Sequence, residues 1–256
     1  ITTECILSES FSGKGIIVAK ESFVLSGIEV AKKVFKFLDL NCECFSSFSD
    51  GDSIKEGEIF FKVQGDLLAL LKGERVALNF LQRLSGIATL TRSYVNELQH
   101  PDVRLTDTRK TTPGLRSLEK EAVRAGGAHN HRMSLYDGIL IKDNHIVVAG
   151  SIKNAIKAVK NRTTHLMKVE VEVTNLDQVK QAIKAGAEVI MLDNMNYKQM
   201  TQAVKYIDKR AVVEASGNVS LKTLNKIAAT GVDVISCGAL THQARSVDLS
   251  MRINTI

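Results

Sequence analysis

The densest run of chemistry-bearing residues is 108–116, Thr-Arg-Lys-Thr-Thr-Pro-Gly-Leu-Arg, which sets Arg109 beside Lys110 directly after a short apolar run. Arginine offers a planar fork for a carboxylate or phosphate, and lysine a compact point charge. A solvated loop has similar composition, but Pro113 and Gly114 beside adjacent cations favour a shaped anion site. Residues 126–132, Gly-Gly-Ala-His-Asn-His-Arg, add small residues that let backbone approach a ligand. His129 and His131, with Asp143 and His145, could ligate a metal. Arg132 would repel a cation there, so an anion site built on His131 and Arg132 fits the charge better.

Acids enter this cationic company at Glu172 and Asp193. They could bind sugar hydroxyls, hold magnesium through water, face a developing positive centre, or simply balance Lys142 and Lys110. Ser216-Gly217-Asn218 and Cys237-Gly238 each follow an apolar run, as expected of loops that cradle a phosphate with backbone N–H groups. Arg83 lies on or beside the apolar stripe of a long helix. It either snorkels or projects into a neighbouring subunit's anion site.

The elements that must position these groups change character near Pro101. Before it, strand-like runs at 15–19 and 59–63 flank a helix at 28–40, and a long helix follows from about 73 to 99. After it, short apolar runs at 103–106, 138–141, 167–173, 189–192, 212–215 and 232–236 alternate with helical segments such as 176–185 and 221–229. That alternation predicts a parallel sheet with helices outside. Glu172, Asp193, Glu214 and Ile235 recur every 21 residues, close to one strand–helix unit per repeat. At the strand ends stand Arg109-Lys110, Lys142-Asp143, Glu172, Asp193-Asn194, Ser216-Gly217 and Cys237-Gly238. In a βα barrel such positions converge on one mouth. Six strands are too few to close a barrel of that type, so an open one is expected.

Composition narrows the class. The 256 residues are 44% hydrophobic and 24% charged, ordinary for a globular protein. No apolar run nears the roughly 18 residues that span a bilayer. Net charge is +6 (34 − 28), yet the basic residues form no block and aromatics are only 5%, which argues against a nucleic-acid surface. Cys5, Cys42, Cys44 and Cys237 are scattered and read as reduced thiols of a cytoplasmic protein. The chain opens on Ile1-Thr2-Thr3 rather than Met, and we expect a leader of unknown length before it.

Together these segments resemble the quinolinate phosphoribosyltransferases, the carboxylating nicotinate-nucleotide pyrophosphorylases. The resemblance runs through residues 77–89, 107–116, 127–132, 141–145, 170–173, 191–195, 214–218 and 236–238, nearly the whole chain. It implies an α/β sandwich over 1–100 joined by the tail 246–256, and an open α/β barrel over 101–245. It also implies a homodimer, or a higher assembly of dimers, with shared sites, and no nucleic-acid or membrane partner. By similarity Arg109, His131, Arg132 and Lys142 would hold the two carboxylates of quinolinate, with Arg83 supplied by the partner subunit. Lys110, Glu172 and Asp193 would serve phosphoribosyl pyrophosphate and its Mg2+, the acids directly or through water, while Ser216, Gly217 and Gly238 cradle the 5′-phosphate. The implied products are nicotinate mononucleotide, pyrophosphate and CO2, in de novo NAD biosynthesis. Two rival readings of the residues are an RNA-binding module and a metal-dependent barrel hydrolase using His129, His131 and His145. A third is a relative with the same barrel acting on another anionic base.

Overall fold

The computed structural model describes residues 1–7 and 11–255. Ser8, Glu9, Ser10 and Ile256, the last residue of the expected tail, lie outside the described residues. The early elements are α1 (Thr2–Ile6), β1 (Ser12–Ala19), β2 (Phe23–Val24), α2 (Ile28–Leu38), β3 (Glu43–Phe45), β4 (Ser53–Ile54), β5 (Ile59–Asp66) and α3 (Leu67–Glu97). They continue with β6 (Arg104–Thr106), α4 (Arg116–Ala125), β7 (Ile139–Ile141), α5 (Asp143–Ala149), α6 (Ile152–Lys160), β8 (Val169–Val173) and α7 (Leu176–Lys184). The last are β9 (Val189–Asp193), α8 (Tyr197–Ile207), β10 (Val212–Ser216), α9 (Leu221–Ala228), β11 (Val234–Ser236), α10 (Ala239–His242) and β12 (Leu249–Thr255).

Internal packing divides the chain into two units. One holds Ile1–Ser93, Ser117–Gly127 and Gln243–Ile256; the other holds Tyr94–Arg116 and Ala128–His242. Residues 117–127, inside the stretch expected for the barrel, therefore group with the first unit. Two contacts explain this. Glu119 of α4 pairs with Arg83 of α3, and Gly126 lies so close to Thr91 that a Cβ would stand 2.4 Å from its Cβ.

In the first unit an antiparallel sheet is ordered β12-β1-β5-β3, so the C-terminal strand pairs with the first one, Ala19 opposite Leu249. Its core joins Ile17, Phe61 and Val63 of the sheet to Ala31 and Phe35 of α2 and Leu70, Leu78 and Leu81 of α3. The Asp50 carboxylate, in the expected turn, accepts the N–H groups of Gly27 and Ile28 at 2.9 and 3.1 Å and so caps α2. Helix α3 begins at Leu67, earlier than the expected 73. Gly73 is internal, because a Cβ there would meet the Phe35 ring at 2.9 Å; here glycine allows close packing and does not mark a helix start.

The second unit is a six-stranded parallel sheet ordered β6-β11-β10-β9-β8-β7. The sequence order of the strands is kept around the sheet, and the last strand, β11, returns to lie beside the first, β6. That is barrel order with one seam, between β6 and β7. Each of α6, α7, α8 and α9 buries one apolar face, for example Val179 and Ala182 of α7 or Leu224 and Ile227 of α9. Among the described residues no helix is long and apolar enough to cross a membrane.

Candidate functional site

The seam carries the cations. Residues after α4 return to the free edge of β6, where His129 forms an isolated parallel bridge with Thr106. The His129 N–H donates to Leu105 O at 2.9 Å, and the Asp107 N–H donates to His129 O at 3.1 Å. The fully buried Asp107 carboxylate accepts the His131 N–H at 2.8 Å and the Asn130 side-chain amide at 2.7 Å. Arg132 is held at both ends. Its N–H donates to His131 Nδ1 at 2.8 Å, and its Nη1 donates to Gly138 O at 2.8 Å, just before β7. Burial first, and the charge of Arg109 second, push the Arg132 guanidinium below its ordinary value. The Arg109 Nε is buried with no hydrogen-bond partner among the described residues. A guanidinium that feels a second one and a buried donor without a partner are both costs that an anion relieves.

The acids stand at neighbouring strand ends. Glu172 on β8 is bonded by the Lys142 ammonium. Asp193 ends β9, and its Oδ2 accepts the Asn194 amide at 3.0 Å. The turn that follows β9 meets the end of β10, where the Asn218 side chain donates to Asn194 Oδ1 at 3.1 Å. Asn194, Gly217 and Asn218 all adopt positive φ, of 53°, 95° and 54°, and the Asn194 N–H donates to Ser216 O at 3.0 Å, tying the two strand ends together. The register sets Ser216 opposite Asp193 on one side and opposite Ser236 on the other, so acid and cradle share a level. Gly238 opens the next loop; a Cβ there would lie 3.0 Å from Lys110 Cδ and 3.1 Å from His242 Nε2. Lys110 is anchored through its carbonyl, which accepts Thr241 Oγ1 at 2.7 Å. The Cys237 thiol is buried and pushed up by that burial, in keeping with an inert residue.

His131 stands between two acids. Its Nε2 faces Glu170 at 3.5 Å and Glu214 at 3.4 Å, so both ring nitrogens lie against protein groups. Burial alone would lower its pKa, but the two carboxylates outweigh it and raise it to about 10. Burial, with Glu214 close by, raises Glu170 as well. Because Nδ1 accepts an N–H, the proton this cluster retains belongs on the Nε2–carboxylate side.

The same cluster, His131 with Glu170 and Glu214, is the group among the described residues whose ligand atoms lie close enough to share an ion. The set of the rival hydrolase reading, His129, His131 and His145, does not come together among the described residues. His129 is exposed, and His145 Nδ1 accepts the Lys142 N–H at 2.9 Å at the start of α5. The cluster itself suits a cation poorly, since Nδ1 faces a donor and leaves Nε2 protonated. Asp107, Glu170, Asn194, Glu214 and His242 carried no role in the sequence reading. A charge in the middle of an apolar strand, as at Glu170 and Glu214, is the signal that could have found two of them.

In the first unit the Arg83 guanidinium is not simply led out to water. It donates to the fully buried Glu119 carboxylate at 3.0 Å and to Ala244 O at 2.7 Å. That is a positioned cation, and it removes snorkelling as a sufficient account of the residue.

Residues 1–85 match the quinolinate phosphoribosyl transferase N-terminal domain, and residues 87–252 match the C-terminal domain. The chain belongs to the quinolinate phosphoribosyltransferase family. It is 45% identical over 253 residues to the probable nicotinate-nucleotide pyrophosphorylase [carboxylating] of Bacillus subtilis, covering 99% of this chain and 87% of that protein. A Nicotiana tabacum quinolinate phosphoribosyltransferase [decarboxylating], 1b, is 38% identical, covering 100% of this chain and 77% of that one. The crystal structure of NadC from Streptococcus pyogenes superposes with a TM-score of 0.94 at 41% identity, covering 100% of this chain and 90% of that one. The two-domain division of the family thus spans almost the whole sequence, and the cationic seam and the glycine cradle lie within the stretch matching the C-terminal domain.

Proposed function

We propose that this protein transfers the phosphoribosyl group of phosphoribosyl pyrophosphate to quinolinate, yielding nicotinate mononucleotide, pyrophosphate and CO2 in de novo NAD biosynthesis. The observation that carries this reading is the pair of half-buried guanidiniums, Arg109 with its Nε unpartnered among the described residues and Arg132 held on Gly138 O, in one sheet unit with the positive-φ turn at Gly217. A dicarboxylate base and a sugar phosphate are the two anions such a pairing suits.

Arg109, Arg132 and Lys142 hold the base by its carboxylates, His131 fixes the Arg132 backbone, and Arg83 comes from the partner subunit of a homodimer. Ser216, Gly217 and Gly238 receive the 5′-phosphate, and Lys110 reaches the pyrophosphate. Glu172 and Asp193 are oxygen donors at adjacent strand ends, a set that fits Mg2+. When bound, the ion would neutralise charge on the departing pyrophosphate. The two acids also face the positive charge that grows at the ribose carbon as its bond to pyrophosphate lengthens. The ring nitrogen attacks that carbon, and orientation by the cations supplies much of the rate. The carboxylate beside the new pyridinium nitrogen leaves as CO2; its electron pair stays on the ring carbon and a proton takes its place. A cytoplasmic setting belongs to the same reading, in keeping with four free thiols. Incubating the protein with quinolinate, phosphoribosyl pyrophosphate and Mg2+ tests it: nicotinate mononucleotide and CO2 should appear in equal amounts, and their absence would overturn it.

Two further results are expected. Arg132→Lys keeps the charge but loses the fork, so quinolinate affinity should fall by about 1–3 kcal/mol while phosphoribosyl pyrophosphate affinity changes much less. Calorimetry with each ligand measures both; equal weakening would refute the division of the site. Arg83→Ala and Lys110→Ala proteins should each be nearly inactive. If Arg83 acts across a two-fold interface, a mixed dimer has one doubly damaged site and one intact site. Random exchange of equal amounts should then restore about a quarter of wild-type activity. Mass spectrometry of tagged subunits confirms the exchange, and no recovery in confirmed mixed dimers would sink the shared site.

A further inference from the structure

We infer that Asp107 is a positioning residue that sets the quinolinate-binding cations, acting through the backbone of the seam and not by touching substrate. The inference rests on the proposed function, which makes Arg132 a ligand of quinolinate.

Asp107 is fully buried, on the strand side of a cationic loop, which is an odd place for a carboxylate used only as a counter-charge. Its two oxygens do different work on one segment. Oδ1 receives the His131 N–H at 2.8 Å, and Oδ2 receives the Asn130 amide at 2.7 Å. Its own N–H donates to His129 O at 3.1 Å. Three consecutive residues, His129, Asn130 and His131, are therefore tied to Asp107. The chain of bonds continues from His131 Nδ1 to the Arg132 N–H at 2.8 Å, and the far end of Arg132 is fixed on Gly138 O at 2.8 Å. Gly138 in turn has no Cβ, which would lie 3.1 Å from Arg132 Cβ. Arg132 thus has both its backbone origin and its guanidinium defined. The origin depends on where the Asp107 carboxylate stands. Asp107 also lies two residues before Arg109, so a single strand end sets both forks. A planar fork tolerates little misplacement, and a shift near one ångström in a positioned group has large consequences.

Asp107→Glu keeps the charge and the acceptors and displaces them by one methylene. We expect it to raise the KM for quinolinate about tenfold or more. The dissociation constant of phosphoribosyl pyrophosphate, measured without quinolinate, should stay within about twofold, because Ser216 and Gly217 stand at the end of β10, a different strand from the β6 that leads into Asp107. Asn130→Ala removes the amide that donates to Asp107 Oδ2, at an exposed residue whose truncation leaves the core intact. It should raise the quinolinate KM about threefold, with kcat and the melting temperature nearly unchanged. A folded Asp107→Glu protein with an unchanged quinolinate KM, or with both ligands weakened alike, overturns the assignment. Should Asp107→Glu fail to fold, Asn130→Ala decides: a selective rise in quinolinate KM supports the inference, and no change or an equal loss for both ligands overturns it. Failure of the proposed function itself reads differently, as absence of nicotinate mononucleotide with the unaltered protein.

Discussion

Replacing quinolinate with nicotinate is expected to lower kcat/KM by about 10⁴-fold or more. Nicotinate lacks the carboxylate beside the ring nitrogen, so part of the cationic set meets no anion. The charge of Arg109 already disfavours that of Arg132, and the buried Arg109 Nε has no hydrogen-bond partner among the described residues. A site built to bond a polar group rejects the analogue lacking it far more strongly than a hydrophobic pocket rejects a missing methylene, because its own groups stay desolvated and unpaired. The comparison is made by following nucleotide formation from each acid at fixed phosphoribosyl pyrophosphate and Mg2+. Nicotinate turned over within about tenfold of quinolinate would mean that the seam does not read the second carboxylate.

Gly217→Ala is expected to reduce kcat/KM for phosphoribosyl pyrophosphate by about a hundredfold or more. Two penalties coincide. At φ 95° an alanine is strained, by about 1–2 kcal/mol. Its Cβ would also stand 2.2 Å from Asn194 Oδ1 and 3.1 Å from Asn194 N, and relieving such a contact costs about 1–3 kcal/mol. Asn194 cannot move without consequence. Its amide bonds Asp193 Oδ2 at 3.0 Å, its Oδ1 accepts Asn218 at 3.1 Å, and its N–H donates to Ser216 O at 3.0 Å. The acid and the cradle would shift together. Gly150→Ala separates strain from clash: its φ is 79° but nothing lies within 4 Å, so activity should stay within about threefold of wild type. Steady-state kinetics with melting curves on both variants measure this. A Gly217→Ala enzyme with normal affinity would show that the turn does not meet the phosphate.

Much of this is legible in the sequence itself. The six parallel strands each fall within a residue or two of the apolar runs, because a strand buried on both faces must be apolar throughout and its polar end marks the exit. Lys142, Glu172, Asp193 and Ser216 stand at those exits as expected. Less legible was Asp107, which in sequence is one more acid beside a basic loop. Its importance comes from a return of the chain to the β6 edge some two dozen residues later, and no local pattern records where a loop returns. The long helix was misjudged at its start for a similar reason. Gly73 is a poor helix residue by propensity, and only the Phe35 ring against it explains why it is there.

What the sequence determined by itself is the periodic part: strands, helices, the polar strand ends and the charge of the loops, all set by neighbours a few residues apart. Tertiary structure alone decided which of those charges act together. It placed His131 against Glu170 and Glu214, contacts that no local pattern announces. It paired Arg83 with Glu119 and tied the segment of Arg132 to Asp107. The physical reason is that a buried charge must find its partner wherever the fold brings one, and the energy of that pairing depends on distance and burial, not on separation along the chain.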